Sequence, residues 1–84
     1  MIREIEIGKI YRHFKGNLYL VLDLAEHTET GEKMVVYKAL YDVLKVYCRP
    51  LDMFLSEVDR QKYPLVKQTY RFEEFVPEDV TKDK

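Results

Sequence analysis

The feature that most constrains the fold of this chain is a period-two pattern that begins at Leu18. Leucine occupies every second position through Leu24, and tyrosine, valine and polar residues alternate with it as far as His27. A period of two places neighbouring side chains on opposite faces of a strand. The intervening Tyr19 and Val21 favour a strand over a helix, so the pattern predicts a strand whose leucine face packs in the core.

Further strands are predicted on both sides of this segment. β-branched and aromatic residues bounded by turn residues are typical of strands, and glycine and asparagine tolerate the positive φ of tight turns. A turn is expected around Gly16, and a hairpin loop at residues 29–32 is expected to hold Gly31 in the left-handed region. The predicted strands are residues 10–14, 18–27, 33–41, 44–49 and 70–76.

One short helix is predicted after the fourth strand. Pro50 lacks an amide donor, which ends a strand and suits a first helical turn. Apolar residues then recur at offsets of zero, three, four and seven, which is the spacing of one helix face. They are Leu51, Phe54, Leu55 and Val58.

These elements predict a mostly β fold with one short helix. The two forms considered are a small SH3-like barrel, by analogy with folds that place a helical turn before the last strand, and a strongly bent antiparallel sheet. Residues 1–76 are expected to form a single small barrel-like domain, followed by a flexible charged tail at residues 77–84. Residues 59–69 are expected to be a surface connection, and residues 1–7 either an edge strand or a loose lead-in.

Charge and cysteine content narrow the functional classes. The formal net charge of −1 over 84 residues provides no global basic field for nucleic acid or an anionic membrane. No apolar run approaches the roughly 20 residues that span a bilayer. Cys48 is the only cysteine, which fits a reducing, cytoplasmic setting, and its alternation with Val46 predicts that it faces the core.

Four segments of the chain resemble a bacterial family described as a domain of unknown function, DUF1653. They are residues 11–16 (YRHFKG), 27–30 (HTET), 36–41 (VYKALY) and 49–54 (RPLDMF), with a weaker match at residues 71–72. The family's pattern usually has tryptophan two places before the Arg-Pro pair, where this chain has Tyr47. The resemblance implies a small, mostly cytoplasmic bacterial protein, and it implies no particular activity.

The hairpin loop carries the first group of candidate ligand-binding residues, His27, Glu29 and Thr30. A histidine that titrates near neutrality beside a carboxylate can hold a polar ligand or act as an acid–base pair. The alternative is a structured turn in which side chains bind loop amides.

Aromatic and cationic residues on the third and fourth strands form the second group: Tyr37, Tyr41, Tyr47 and Arg49. Such residues on an exposed sheet face can stack planar ligands and hold phosphate, although tyrosine is also a common packing residue of strands. In this interpretation the tyrosines and Arg49 face outward while the leucines face inward. His13 and Lys15 extend the group as a phosphate-holding edge, or alternatively form a solvated strand end.

No metal site or cofactor is predicted, because His13, His27 and Cys48 do not have the spacing of a closed zinc site. The leading hypothesis is a non-catalytic binding module for a small ligand or a protein partner. The protein is expected to be a monomer or homodimer and not to associate with a membrane. The alternatives are a nucleotide- or RNA-binding module, a small enzyme that uses His27 and Glu29, and a purely structural or accessory domain.

Overall fold

The computed structural model describes residues 4–76 and contains one five-stranded antiparallel sheet. The strands are β1 (Ile10–His13), β2 (Leu18–Glu26), β3 (Lys33–Ala39), β4 (Val46–Pro50) and β5 (Phe72–Glu74). They lie in the order β4-β3-β2-β1-β5, so β4 and β5 are the two edges and the sheet is not closed. The prediction of a mostly β fold is confirmed.

The sheet is bent strongly enough to bring its two edges into contact. The guanidinium carbon of Arg49, on β4, lies 5.3 Å from the ring centroid of Phe72, on β5. The Tyr37 ring of β3 also reaches Phe72, at 5.7 Å between centroids. A flat sheet would hold β4 and β5 about four strand spacings of roughly 4.8 Å apart. This curvature is consistent with the predicted bent sheet or small barrel.

The helix α1 (Leu51–Phe54) follows β4 without an intervening loop. Pro50 is its N-cap, and the predicted helical face is the buried one, with Phe54 fully buried and Val58 nearly so. With four residues α1 is shorter than the apolar pattern, and no helix within residues 4–76 has the length and apolar character needed to cross a membrane. Gly31 has a φ of 75°, as predicted for the hairpin loop.

The core is an aromatic cluster on the concave side of the sheet. The rings of Phe54 and Phe72 stack with centroids 4.0 Å apart, and Tyr11 and Tyr37 meet Phe54 edge-on at 5.5 and 5.3 Å. Edge-to-face and offset-stacked pairs are the favoured arrangements of buried rings. The buried members of the cluster are Tyr11, Val21, Val35, Tyr37, Phe54 and Phe72.

The prediction that the leucines of β2 face the core is wrong. Val21 is fully buried, whereas Leu22 is 39% exposed and Leu24 is 38% exposed. Val21 pairs directly with the buried Tyr37, and directly paired residues share a sheet face. Large rings bury more area than leucine, so the face of Tyr19 and Val21 became the inner one.

A register irregularity between Val21 and Asp23 also breaks the period of two in β2. Beyond it Leu24 pairs with Val35, so Leu24 joins the inner face while Leu18 and Leu20 lie on the outer one. A bulge inserts one extra residue into a strand, which reverses the facing of every residue after it. The alternating leucines of the sequence therefore do not all lie on one face of β2.

Strand β4 is also turned over relative to the prediction. Tyr47 pairs with Tyr37 and Arg49 pairs with Val35, so both share the concave side with buried residues instead of facing outward. Cys48 consequently faces away from the core and is exposed, which overturns its predicted burial. Val46, on the same outer face, is 51% exposed.

Residues 59–69 form an irregular connection that is fastened to the sheet. The Arg60 guanidinium donates to the carbonyls of Val66 and Gln68, and the Gln68 amide donates to the Arg12 carbonyl of β1 at 3.0 Å. The described part of the N-terminal segment, residues 4–9, contains no strand. The predicted tail at residues 77–84 lies outside the described residues.

Candidate anion-binding pocket

A pocket of about 300 Å³ opens where β1, the edge strand β4 and the irregular connection meet. Its volume is at the lower end of the range of about 300–1,000 Å³ found for small-molecule sites. The lining residues are His13, Phe14, Lys15, Arg49, Asp59, Lys62, Tyr63 and Arg71.

The pocket is strongly basic in a chain that is slightly acidic. Four cations line it, Lys15, Arg49, Lys62 and Arg71, and Asp59 is the one carboxylate among the lining residues. With His13 neutral, the lining carries a formal charge of +3, against −1 for the whole chain. Walls of one charge sign focus the electric field and raise the local concentration of counter-ions.

Arg49 is the most unusual residue of the pocket. Its guanidinium lies over the Phe72 ring, and its Nη1 atom is buried with no hydrogen-bond partner in the described part of the chain. A buried donor without an acceptor costs about 1–3 kcal/mol, and more when it is charged. Nη1 itself is shielded from solvent, so an anion in the pocket would balance the charge of the Arg49 guanidinium rather than bond to this atom.

His13 is held as a neutral imidazole beside these cations. Its Nδ1 accepts the backbone N–H of Lys15 at 3.1 Å, which places the proton of the neutral ring on Nε2. Burial, together with the nearby charges of Arg49, Arg71 and Lys15, lowers the pKa of His13 to about 4. At neutral pH His13 is therefore a hydrogen-bond donor without charge.

The carboxylate of Asp59, the acidic residue of the pocket, makes hydrogen bonds within a turn. Asp59 Oδ1 accepts the backbone N–H groups of Gln61 and Lys62, at 3.0 and 3.4 Å, and the Asp59 carbonyl accepts the N–H of Tyr63 at 2.8 Å. Aspartate commonly organises turns in this way. The carboxylate thus helps to present the Lys62 and Tyr63 side chains to the pocket.

Arg71 is anchored to the segment that follows α1. Its Nε donates to Ser56 Oγ at 3.2 Å, and its backbone N–H donates to the Ser56 carbonyl at 2.8 Å. The Arg71 carbonyl accepts the N–H of Phe14 at 2.9 Å, so the cation is fixed beside the end of β1.

Two half-buried rings form one wall of the pocket. Phe14 and Tyr63 meet edge-on with centroids 4.8 Å apart, and the His13 ring stacks on Phe14 at 4.5 Å. Lys15 Nζ lies 5.9 Å from the Phe14 centroid and 5.6 Å from that of Tyr63. The wall therefore combines apolar ring surface with positive charge.

Three of the nine predicted site residues come together here: His13, Lys15 and Arg49. His27 lines a different pocket on the outer face, beside Val36 and Cys48. Its Nδ1 accepts the loop N–H groups of Glu29 and Thr30, at 3.2 and 3.4 Å, an arrangement typical of a structured turn. Glu29 and Thr30 are exposed in the loop.

The predicted tyrosines lie outside this pocket. Tyr37 is in the core and only 4% exposed, and the Tyr47 ring packs on it with centroids 5.8 Å apart. The Tyr41 hydroxyl shares a 2.7 Å hydrogen bond with that of Tyr19. Burial and this hydrogen bond raise the pKa of Tyr19. The aromatic residues that do line the pocket are Phe14 and Tyr63.

Sequence reasoning missed Phe14, Asp59, Lys62, Tyr63 and Arg71 as lining residues. The useful signal was Asp59 itself, because an aspartate that begins a polar connection favours a turn able to present the residues after it. The pocket also depends on β4 facing inward, which the alternation in β4 alone does not determine. Among the described residues, no three His, Cys, Asp or Glu side chains gather into a metal-binding group.

Comparison with known families gives the relationship of this chain to other proteins. Residues 9–74, which include every residue lining the pocket, match the model of a family described as protein of unknown function (DUF1653). The chain belongs to the DUF1653 family. The resemblance carried by the four sequence segments is therefore confirmed.

A solved structure of the DUF1653 family supports the same fold. The crystal structure of a DUF1653 protein from Bordetella bronchiseptica is 31% identical in sequence, with a TM-score of 0.70. The similarity covers 95% of this chain and 97% of that one. No protein of curated function matches the chain significantly.

Proposed function

We propose that this DUF1653 protein is a non-catalytic binding module whose ligand is a small anion held in the basic pocket. The observation that carries the proposal is the set of four cations lining the pocket, Lys15, Arg49, Lys62 and Arg71, against one carboxylate that is engaged in a turn. The buried Nη1 of Arg49, which has no hydrogen-bond partner within residues 4–76, adds to the cost of this arrangement. Gathering like charges around a buried, unsatisfied donor lowers stability. Such an arrangement is expected where an anion is bound.

The hydrogen bonding of the pocket supports binding over catalysis. His13 Nδ1 and Asp59 Oδ1, which could otherwise act as bases, both accept backbone N–H groups. The hydrogen bonds of His27 to its own loop likewise favour a structural role over an acid–base pair with Glu29.

Several properties favour a small anion over a nucleic acid. The net charge of the chain is −1, and the positive residues of the site surround a pocket of about 300 Å³. Binding of nucleic acid depends on many phosphate contacts and falls steeply with salt. A pocket that holds one anion should show a shallow dependence on salt.

Isothermal titration calorimetry with sodium phosphate and sodium sulfate, at an ionic strength fixed with potassium chloride, tests the proposal. The chain should bind at least one of the two with a stoichiometry of one. Arg49→Met and Lys62→Met should each weaken binding by about tenfold or more, since hydrogen bonds to charged groups contribute about 1.5–3 kcal/mol.

The matched control is Lys67→Met, which removes an exposed lysine from the same connection without altering the pocket lining. Its affinity should stay within twofold of the wild-type value. Absence of binding by both anions, or equal losses for Lys62→Met and Lys67→Met, would contradict the proposal.

A further inference from the structure

The chemistry of the pocket indicates more about the ligand than that it is negatively charged. Its lining supplies four cations and one engaged carboxylate, and this excess of three positive charges exceeds what a single carboxylate could balance. A phosphate monoester carries about −1.5 to −2 at pH 7 and offers three strong acceptor oxygens. It is therefore the better match for the pocket.

The donors available to such a group have the required chemical variety. Arginine presents a planar fork of donors that fits phosphate oxygens, and lysine contributes a compact point charge. Arg49 and Arg71 supply the first type, and Lys15 and Lys62 the second. The neutral His13 ring adds a donor without adding charge.

The remaining space indicates what the phosphate is attached to. A pocket of about 300 Å³ holds roughly ten times the volume of one liquid water molecule, which is more than a phosphate group alone would fill. Along one side lie the half-buried rings of Phe14 and Tyr63, 4.8 Å apart. Ring surface beside cations is the arrangement on which flat ligands stack.

We infer that the ligand is a phosphate monoester whose organic group is flat, with the phosphate among Arg49, Lys62 and Arg71 and the organic group against the wall of Phe14 and Tyr63. This inference rests on the proposed anion-binding function and adds the class of ligand to it. A single-stranded RNA would present the same two chemical groups but would extend beyond the pocket, so it is an outcome of the test.

Four probes separate the parts of the inference in calorimetry at fixed ionic strength: inorganic phosphate, glycerol phosphate, phenyl phosphate and benzoate. Phenyl phosphate should bind about tenfold or more tightly than glycerol phosphate, because stacking of a ring on an aromatic side chain contributes about 1–3 kcal/mol, or roughly 5- to 150-fold. It should also bind at least tenfold more tightly than benzoate, which has the ring with one charge.

Variants of the wall provide the second arm of the experiment. Tyr63→Leu should weaken binding of phenyl phosphate about fivefold or more while leaving inorganic phosphate within twofold, so inorganic phosphate also reports that the pocket is folded. Phe14→Leu is the alternative if Tyr63→Leu fails to fold by circular dichroism. Tyr47→Leu, outside the pocket lining, should change neither affinity.

The outcomes distinguish failure of this inference from failure of the proposed function. If none of the four probes binds and sulfate does not bind either, the anion-binding function itself is wrong. If sulfate alone binds, the function stands and the ligand class is overturned. If inorganic phosphate binds but phenyl phosphate is no tighter than glycerol phosphate, or benzoate equals phenyl phosphate, the function stands and the ligand class is overturned. Tighter binding of an oligouridylate than of phenyl phosphate would also overturn it in favour of RNA.

Discussion

The guanidinium of Arg49 lies over the ring of Phe72, 5.3 Å from its centroid, although the two residues belong to opposite edges of the same sheet. This contact joins β4 to β5 and places a half-buried cation at the rim of the aromatic core. One Nη atom of the guanidinium is buried and has no hydrogen-bond partner in the described chain. Fold and candidate site therefore share this residue.

Arg49→Met should leave the ligand-free protein equally stable or stabilise it by up to about 2 kcal/mol. The variant loses a cation–π contact of about 0.5–1 kcal/mol but also removes a buried unsatisfied donor, a cost of about 1–3 kcal/mol. Urea unfolding in a chloride buffer measures the difference. Destabilisation by more than about 1 kcal/mol would show that Arg49 is retained for structure, which weakens the binding account.

Phe54→Ala should lower the free energy of unfolding by about 3–5 kcal/mol, the usual cost of truncating a buried ring. Phe54 is fully buried and stacks on Phe72 at 4.0 Å. The neighbouring Met53 is 49% exposed on the same helix, and Met53→Ala should change stability by less than about 1 kcal/mol. Urea unfolding of both variants checks the difference, and similar effects would contradict the aromatic core.

Protonation of His13 should destabilise the protein at low pH. Its folded pKa of about 4 lies below the ordinary value of 6.5, so the unfolded chain binds the proton more readily. The contribution to stability is complete above pH 6.5 and is lost as the pH falls towards 4.

His13 is only half-buried, so solvent screening reduces this contribution to about 1–2 kcal/mol. Unfolding of wild type and His13→Gln by urea at pH 7 and pH 4.5 measures it. The wild-type protein should lose that much more stability than the variant over this interval. Parallel losses would show that His13 is not held neutral by its surroundings.

His27→Ala should leave anion affinity within twofold of wild type. His27 lines a pocket on the outer face and bonds to its own loop, whereas the basic pocket lies on the concave side. Calorimetry with phosphate tests whether the hairpin loop lies outside the site. Gly31→Ala is a second variant of the same loop, measured for both stability and phosphate affinity. Gly31 has a φ of 75°, so the substitution should cost about 1 kcal/mol of stability without changing affinity. A tenfold loss of affinity in His27→Ala would place the loop in the site.

The sequence predicted the positions of the strands and the helix better than which side of each strand faces the core. Turn residues such as Gly31 and the strand-ending Pro50 act locally, so the strands and the short helix lie close to their predicted positions. Which side of a strand faces the core depends on tertiary packing. The segment from Leu18 does form a strand, as predicted, but the burial of rings such as Tyr37 and the irregularity after Val21 determine which of its residues face inward.

The candidate site was predictable only in part for the same reason. His13 ends β1 and Lys15 lies in the turn after it, so the sequence indicates both as a basic edge, and it indicates Arg49 by its place before Pro50. Their meeting with Lys62 and Arg71 depends on the bend of the sheet and on the folded connection. No short-range pattern encodes a contact between residues of opposite edges, so this part required the structure.

Binding of an anion in the basic pocket can be followed by a two-dimensional ¹H–¹⁵N NMR titration with sodium phosphate at constant ionic strength. Saturable shifts are expected in the amides of residues 13–15, 49, 59–63 and 71, with residues 27–32 little changed. Shifts that stay linear in concentration across the whole surface, or that are confined to the hairpin loop, would contradict it.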